Sequence, residues 1–322
     1  MSIKFDPTTD FNFIPGDYVP FKDREICEKL RKMSGKDLEK REPWHHPEFN
    51  IKVIMNPHPI LIATLFTRIK EAYENNRKIT LLLGNPEPDT YIPLAQLINY
   101  HKINCKNVYI FAEDEWADQD GNIAPETYKA GFAHSLIKYF VMQIDPELRM
   151  PMENVFYPTN ANINSYSDIM NDVSEGGVDI VSSSPGWTGH MAFIDPVDDF
   201  MNVKDYDEYL HQKAKIVTLH PLTVAQNSLH GVFGQSGYMA DVPPKAATIG
   251  PIDILRAKER IEVHALLTCG TFSSWQRMTS RLVLHGPVTP LVPSSMLQTM
   301  KTQVYVSEEL AAPFDCWEKV GY

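Results

Sequence analysis

Residues 79 to 116 read ITLLLGNPEPDTYIPLAQLINYHKINCKNVYIFAEDEW. Ile79–Leu83 is a short, nearly continuous apolar run, which is how a strand reads when both of its faces are buried. Residues 107–112 (NVYIFA) read the same way. Between them, 92–100 carries apolar residues at helical spacing. Buried strand, helix and buried strand in succession predict a parallel sheet covered on both faces.

The alternation continues on either side. Residues 59–76 predict a helix with Pro59 in its first turn, and 125–143 a long helix started by Pro125. Further strands are expected at 154–157, 178–182, 215–218, 247–249, 263–268 and 303–306. Helices are expected at 165–173, 223–229, 252–258 and 273–284. The fold class is therefore α/β: a Rossmann-like, doubly wound, mostly parallel sheet with helices on both faces. In such folds ligands sit outside the carboxyl ends of the strands, which selects segments 84–90, 113–122, 183–195 and 269–274. Residues 1–56 differ in character, being rich in Pro, Lys, Glu and aromatics, with one predicted helix over 23–33. They are expected to form an N-terminal extension packing on the body, with 57–322 as the α/β domain.

Composition narrows the function. The chain has 322 residues, 43% hydrophobic and 22% charged, an ordinary globular balance. With 30 basic against 41 acidic residues the net charge is −11, which disfavours a broad nucleic-acid surface. The four cysteines, Cys27, Cys105, Cys269 and Cys316, form no C-x-x-C pair, so neither a cysteine-rich zinc site nor a disulfide scaffold is expected. No apolar run approaches the ~20 residues needed to span a bilayer, and MSIKFDPTTDFNF lacks an apolar signal core. A cytoplasmic protein without a membrane partner is the expectation. No H-E-x-x-H, G-x-G-x-x-G, G-x-x-x-x-G-K-[ST] or G-x-S-x-G occurs, so neither a metal, a nucleotide cofactor nor a serine nucleophile is expected.

Two strand ends carry chemistry. Glu113, Asp114 and Glu115 follow NVYIFA directly. Crowded carboxylates raise one another's pKa, which suits proton transfer near neutrality; a solvated acidic turn is the other reading. After the strand at 178–182 comes SSSPGWTGHMAFIDP. Gly186 and Gly189 permit a tight backbone path beside a ligand, and His190 and Asp195 flank the apolar MAFI. A carboxylate beside a histidine fixes its tautomer and raises its basicity; a structural histidine in a local turn fits equally.

Several segments, taken in order, resemble the glucosamine-6-phosphate isomerase/deaminase family. Phe111-Ala112-Glu113-Asp114-Glu115-Trp116 is similar to the family's F-N-M-D-E-Y, and 124–128 (APETY) to H-P-E-S-Y. Residues 189–196 (GHMAFIDP) resemble G-H-I-A-F-N-E-P. Residues 217–219 and 225–228 resemble T-L…A-N-S, and 242–250 (VPPKAATIG) resembles V-P-x-x-A-L-T-V-G. The resemblance spans roughly 57–310. It implies a Rossmann-like fold, often oligomeric, hence a homo-oligomer. It also implies cofactor-free and metal-free conversion of an amino sugar phosphate to a ketose with loss of ammonia. On that reading Asp114 shuttles a proton between C1 and C2, His190 opens the sugar ring, and Asp195 supports His190 in place of a family Glu.

The departures fall on the phosphate side. The family's T-G-G-T-P turn is Gly84-Asn85-Pro86-Glu87-Pro88 here. Two prolines remove backbone donors, and Glu87 sets a carboxylate where a phosphate would lie. At ~4 Å like charges repel by about 4 kcal/mol at an effective dielectric near 20, more than the about 1.5–3 kcal/mol of a charged hydrogen bond. A family Asp is Thr188, an Arg is Leu229, the segment bearing a phosphate-binding Lys is 270–273 (GTFS), which has no Lys, and another Arg is Lys215. The reading is a sugar isomerase/deaminase with an altered phosphate loop, acting on a sugar or sugar phosphate. The catalytic candidates are Asp114, His190 and Asp195. Gly84, Asn85, Glu115, Thr188, Gly189 and Lys215 are the substrate-side candidates, with His220 and His230 as further anion-holding groups. A non-catalytic sugar-binding protein and a sugar lactonase are the alternatives.

Overall fold

The computed structural model describes residues 11–265 and 274–314. Its centre is a seven-stranded, wholly parallel sheet built from β1 (Phe49–Ile54), β2 (Ile79–Leu83), β3 (Val108–Ala112), β5 (Val155–Phe156), β6 (Ile180–Ser183), β9 (Glu259–His264) and β10 (Thr302–Ser307). The spatial order is β1-β10-β9-β6-β2-β3-β5. Side chains of β2 alternate between two cores. Leu82 joins one cluster with Phe111, while Leu81 and Leu83 join another with Ile110 and Ala112. This is the physical content of the apolar run: both faces are covered, so β2 is apolar except at Thr80, whose hydroxyl donates to Asp179 Oδ2 at 3.0 Å. The Rossmann-like, doubly wound α/β reading holds.

Strands β2 and β6 are neighbours, Leu81 pairing with Ile180. From β2 the chain winds outward through β3 to β5; β6 then returns to the other side of β2, and β9 and β10 continue away. The crevice beyond β2 and β6 is thus the switch point where such sheets bind ligands.

A second sheet of three antiparallel strands, β4 (Asp114–Ala117), β7 (Lys215–Thr218) and β8 (Lys245–Thr248), lies in the order β4-β8-β7. The acidic stretch after β3 is therefore a strand from Asp114 onward, not the loop expected from its polarity. Only Glu113 separates the two sheets. Residues 215–218 and 245–248 also belong to this small sheet rather than to the parallel one.

The helix expected over 125–143 is shorter, Phe132–Tyr139 followed by a turn of 3-10 helix at Val141–Gln143. Its start is set by Glu115, whose carboxylate accepts the N–H groups of Phe132 (3.2 Å) and Ala133 (2.8 Å). Within the first 56 residues, β1 pairs with β10 along its whole length, Phe49 opposite Thr302 through Ile54 opposite Ser307. That stretch thus contributes an edge strand, which the prolines of 43–47 hide from sequence reading. The helix Arg24–Arg31 and the turn at 35–39 bury Leu30 and Leu38. The expected strand end at 266–268, the segment 269–273 and the first residue of the helix at 273–284 lie outside the described residues, as do Cys269 and Cys316. No described helix is long and apolar enough to cross a membrane.

Candidate active site

A cavity of about 150 Å³ opens at the switch point. Gly84 and Asn85 line it from the end of β2, Glu113 and Asp114 from the end of β3, Ser183 from β6, and His190 from the following loop. Asp114 and His190 are 76 positions apart and reach one cavity through Thr248. Its backbone pairs with Asp114 in the small sheet, and its Oγ1 accepts the Phe193 N–H at 3.0 Å. The β4–β8 pairing thereby fastens the 183–195 loop beside Asp114.

His190 is held from behind. Asp195 Oδ1 accepts from His190 Nδ1 at 2.9 Å, from Thr188 Oγ1 at 2.7 Å and from Thr223 Oγ1 at 2.9 Å. Asp195 Oδ2 accepts the His220 N–H at 3.3 Å. Burial by itself raises the Asp195 pKa, but the charge of His190 and the donated hydrogen bonds outweigh it, and the carboxyl stays below its ordinary value. An ionised Asp195 fixes the proton on Nδ1 and leaves Nε2 as the basic nitrogen available to a ligand. Ala192 sits in the left-handed region at φ +49°, a conformation uncommon outside glycine. It bends MAFI so that Asp195 returns to His190. Gly186 is a steric requirement: a Cβ there would collide with His190 Nε2.

Asp114 is 7% exposed, and among the described residues no side chain donates to its carboxylate. Burial, followed by the charge of Glu115, pushes its pKa well up. Glu113 is 3% exposed and pushed well up by burial, then by Asp114 and Glu262. Its Oε1 has no hydrogen-bond partner among the described residues. Behind it on β9 lie Glu262 and His264. Ser183 Oγ donates to Glu262 Oε2. Glu262 Oε1 stands 3.8 Å from His264 Nε2, and among the described residues neither atom has a hydrogen-bond partner. Burial raises Glu262 to about 7 and lowers His264 to about 3. Sequence reading missed this pair; the strand, ERIEVH, has four ionisable residues among six and does not read as a buried central strand.

The other expected residues divide. Asn85 lines the cavity, its Nδ2 donating to His230 Nε2 at 2.7 Å. Glu87 lines it at the start of the helix Pro88–Tyr100, held at about 7 by burial and then by Asp89. Thr188 and Gly189 are not in the lining; Thr188 braces Asp195, and Gly189, at φ +80°, has its carbonyl bound by the Ser294 N–H. Glu115 is turned away to cap the helix at 132. Lys215 is also outside the lining, its Nζ donating to Asp199 O at 2.9 Å and to Gln212 Oε1 at 2.6 Å. His220 accepts the Leu222 N–H through its own Nδ1. Thr223, which sequence reading did not single out, completes the clamp on Asp195. Among the described residues no group of three or more His, Cys, Asp or Glu side chains is placed to hold a metal ion.

No family model matches the chain. A glucosamine-6-phosphate deaminase of Staphylococcus epidermidis is 25% identical over 253 residues, covering 78% of this chain and 92% of that protein. One from Corynebacterium glutamicum is 24% identical over 235 residues, 72% of this chain and 81% of that protein. Among solved structures, a monomeric glucosamine-6-phosphate deaminase of the NagB superfamily superposes with a TM-score of 0.63 at 19% identity, covering 81% of this chain and 98% of the other. The 6-phosphogluconolactonase from Trypanosoma cruzi superposes at 0.57 and 13% identity, covering 84% and 99%. Over most of its length the chain is thus similar to glucosamine-6-phosphate deaminases, and its fold is one that the 6-phosphogluconolactonases share.

Proposed function

We propose that the protein is a sugar isomerase/deaminase in which Asp114 is the proton-shuttling base, His190 the ring-opening acid/base and Asp195 its positioning partner. The observation that carries this reading is that Asp114 and a clamped His190 line one cavity at the sheet's switch point. His190 Nε2 takes the anomeric hydroxyl proton and returns a proton to the ring oxygen, opening the sugar. Asp114 then removes the C2 hydrogen and delivers a proton to C1 while a proton leaves the amine and one is gained by O1, turning the 2-amino aldose into the C2 imine of the ketose. Addition of water at C2 releases ammonia and leaves the ketose. A base with a raised pKa takes a carbon-bound proton more readily than an ordinary carboxylate, provided it is ionised at the working pH.

Lactone hydrolysis needs only a base to activate water, which leaves Asp114 without a task. A purely sugar-binding role has no use for a histidine held in one tautomer by a buried carboxylate that two threonine hydroxyls also brace. The test is exchange of the sugar C2 hydrogen with solvent deuterium, followed by NMR on amino sugars and their 6-phosphates, together with ammonia release. Asp114→Asn is expected to abolish exchange with the fold retained. Unchanged exchange in that variant removes Asp114 from the mechanism.

A further inference from the structure

Resting on the sugar-binding reading above, we propose that the cavity takes an amino sugar that carries no phosphate, bound as its ammonium form by the carboxyl groups of Glu113 and Asp114, while Glu87 occupies the place an anionic ligand group would need. The argument begins with the turn after β2. Pro86 and Pro88 have no N–H. The N–H of Gly84 donates to Ser182 O and that of Glu87 to Asn85 O. Four of the five residues from 84 to 88 thus offer no free backbone donor, although a helix N-terminus beside a cavity is the usual anion cradle. The helix Pro88–Tyr100 has its own carboxylate, Glu87, at the N-cap, and that side chain makes no capping bond.

The rest of the wall agrees. Glu87, Glu113 and Asp114 line the cavity, and no described Lys or Arg does. Residues 266–273 read LLTCGTFS and contain no basic residue either. Lys215 is spent on Asp199 and Gln212. Of the histidines that line the cavity, His230 accepts from Asn85, His190 is clamped to Asp195, and His58 Nδ1 stands 3.4 Å from Thr90 Oγ1.

Glu113 supplies the independent sign of a ligand. It is 3% exposed, yet its Oε1 has no partner among the described residues. A buried carboxyl oxygen left unpaired is costly unless a bound group satisfies it. The missing side chain of Gly84 is what makes room: a Cβ there would lie 3.0 Å from Glu113 Oε2. In the related F-N-M-D-E-Y segment this position is Met, so the carboxylate is a feature of this chain. Glu113 and Asp114 are consecutive, and the C2–H and C2–N bonds of an amino sugar share one carbon. One residue can then meet the hydrogen while its neighbour meets the nitrogen. A bound ammonium favours the ionised carboxyl groups, so binding expels protons from the site.

Calorimetry and thermal shift on the full chain, with glucosamine, glucose, N-acetylglucosamine and glucosamine 6-phosphate as probes, test this. Glucosamine is expected to bind at least tenfold more tightly than glucose or N-acetylglucosamine, and at least tenfold more tightly than glucosamine 6-phosphate. Its binding heat should vary with buffer ionisation in the sense of proton release. Glu113→Gln should shrink the glucosamine-to-glucose ratio below threefold, and Glu87→Gln should recover at least threefold of the phosphate ester's affinity. Equal or tighter binding of glucosamine 6-phosphate, or equal binding of glucose and glucosamine, overturns the proposal. The wild-type ligand series decides even if a variant does not fold. If glucosamine 6-phosphate binds best and its C2 hydrogen exchanges only while Asp114 is intact, this inference falls and the proton-transfer reading stands. If no sugar binds or exchanges, both fall.

Discussion

Replacing Glu262 by Gln should stabilise the protein at pH 8 and leave it nearly unchanged at pH 4.5. Glu262 is 1% exposed, and burial raises its pKa from 4.5 to about 7. A folded-state pKa above the unfolded value means that folding takes up a proton between those two pH values. Stability is therefore highest below about 4.5, falls as pH rises through the window, and levels off above about 7. At about 1.4 kcal/mol per pH unit, a shift of that size costs on the order of 3 kcal/mol by pH 8. Gln carries no charge and escapes the loss. Its carbonyl can accept from Ser183 as Glu262 Oε2 does, and its amide meets the empty Nε2 of His264, 3.8 Å from Glu262 Oε1. Removing the charge also relieves Glu113, whose pKa Glu262 helps to raise. Urea unfolding of wild type and variant at pH 4.5, 6 and 8 measures the gap, which should open with pH to a few kcal/mol. A variant destabilised by the same amount at all three would refute the linkage and show that Glu262 is held charged by something else.

Gly186→Ala should lower turnover at least 100-fold and also lower Tm, because the new Cβ meets His190 Nε2 and must displace the ring from Asp195; wild-type activity would show that the ring's position is immaterial. Thr223→Val removes one of three donors to Asp195 Oδ1 and should raise the Asp195 pKa, cutting kcat more than KM; a pure KM effect would place Thr223 on the substrate instead. The acid limb of the kcat/KM profile should lie well above the ordinary carboxylate range, since burial and Glu115 raise Asp114. Activity then falls as pH drops through that raised value, and a limb near pH 4 would contradict the assignment. Leu82→Ala, in the central strand and fully buried, should cost about 2–5 kcal/mol by chemical denaturation, and a loss below 1 kcal/mol would mean that the site collapses around the cavity.

The strands of the parallel sheet that border the site, β2, β3 and β6, were legible because burial on two faces makes each a short, mainly apolar run in spite of Thr80, Ser182 and Ser183. His190 and Asp195 were legible because their partnership is local, five residues apart within one loop. Asp114 was legible as a strand-end carboxylate. Its strand β4 was not, because DEWA shows no apolar alternation. It is extended because β8 pairs with it and the cavity and helix 132–139 take up its polar side chains. The clamp from Thr223 and the buried Glu262–His264 pair were invisible, since their partners are 28 and 79 residues distant along the chain.

Periodicity and residue type, read along the chain, determine the α/β class, the strand ends where chemistry can occur and the scarcity of backbone donors in Gly84-Asn85-Pro86-Glu87-Pro88, because each is a property of neighbouring residues. Which carboxylates face the cavity was decided only by tertiary structure. Glu115 caps a helix while Glu113 and Asp114 open onto the site, because the chain passes from one sheet to the other at that point and Thr248 joins it to the loop bearing His190. That choice depends on pairing between segments more than 50 residues apart, and no local pattern encodes it.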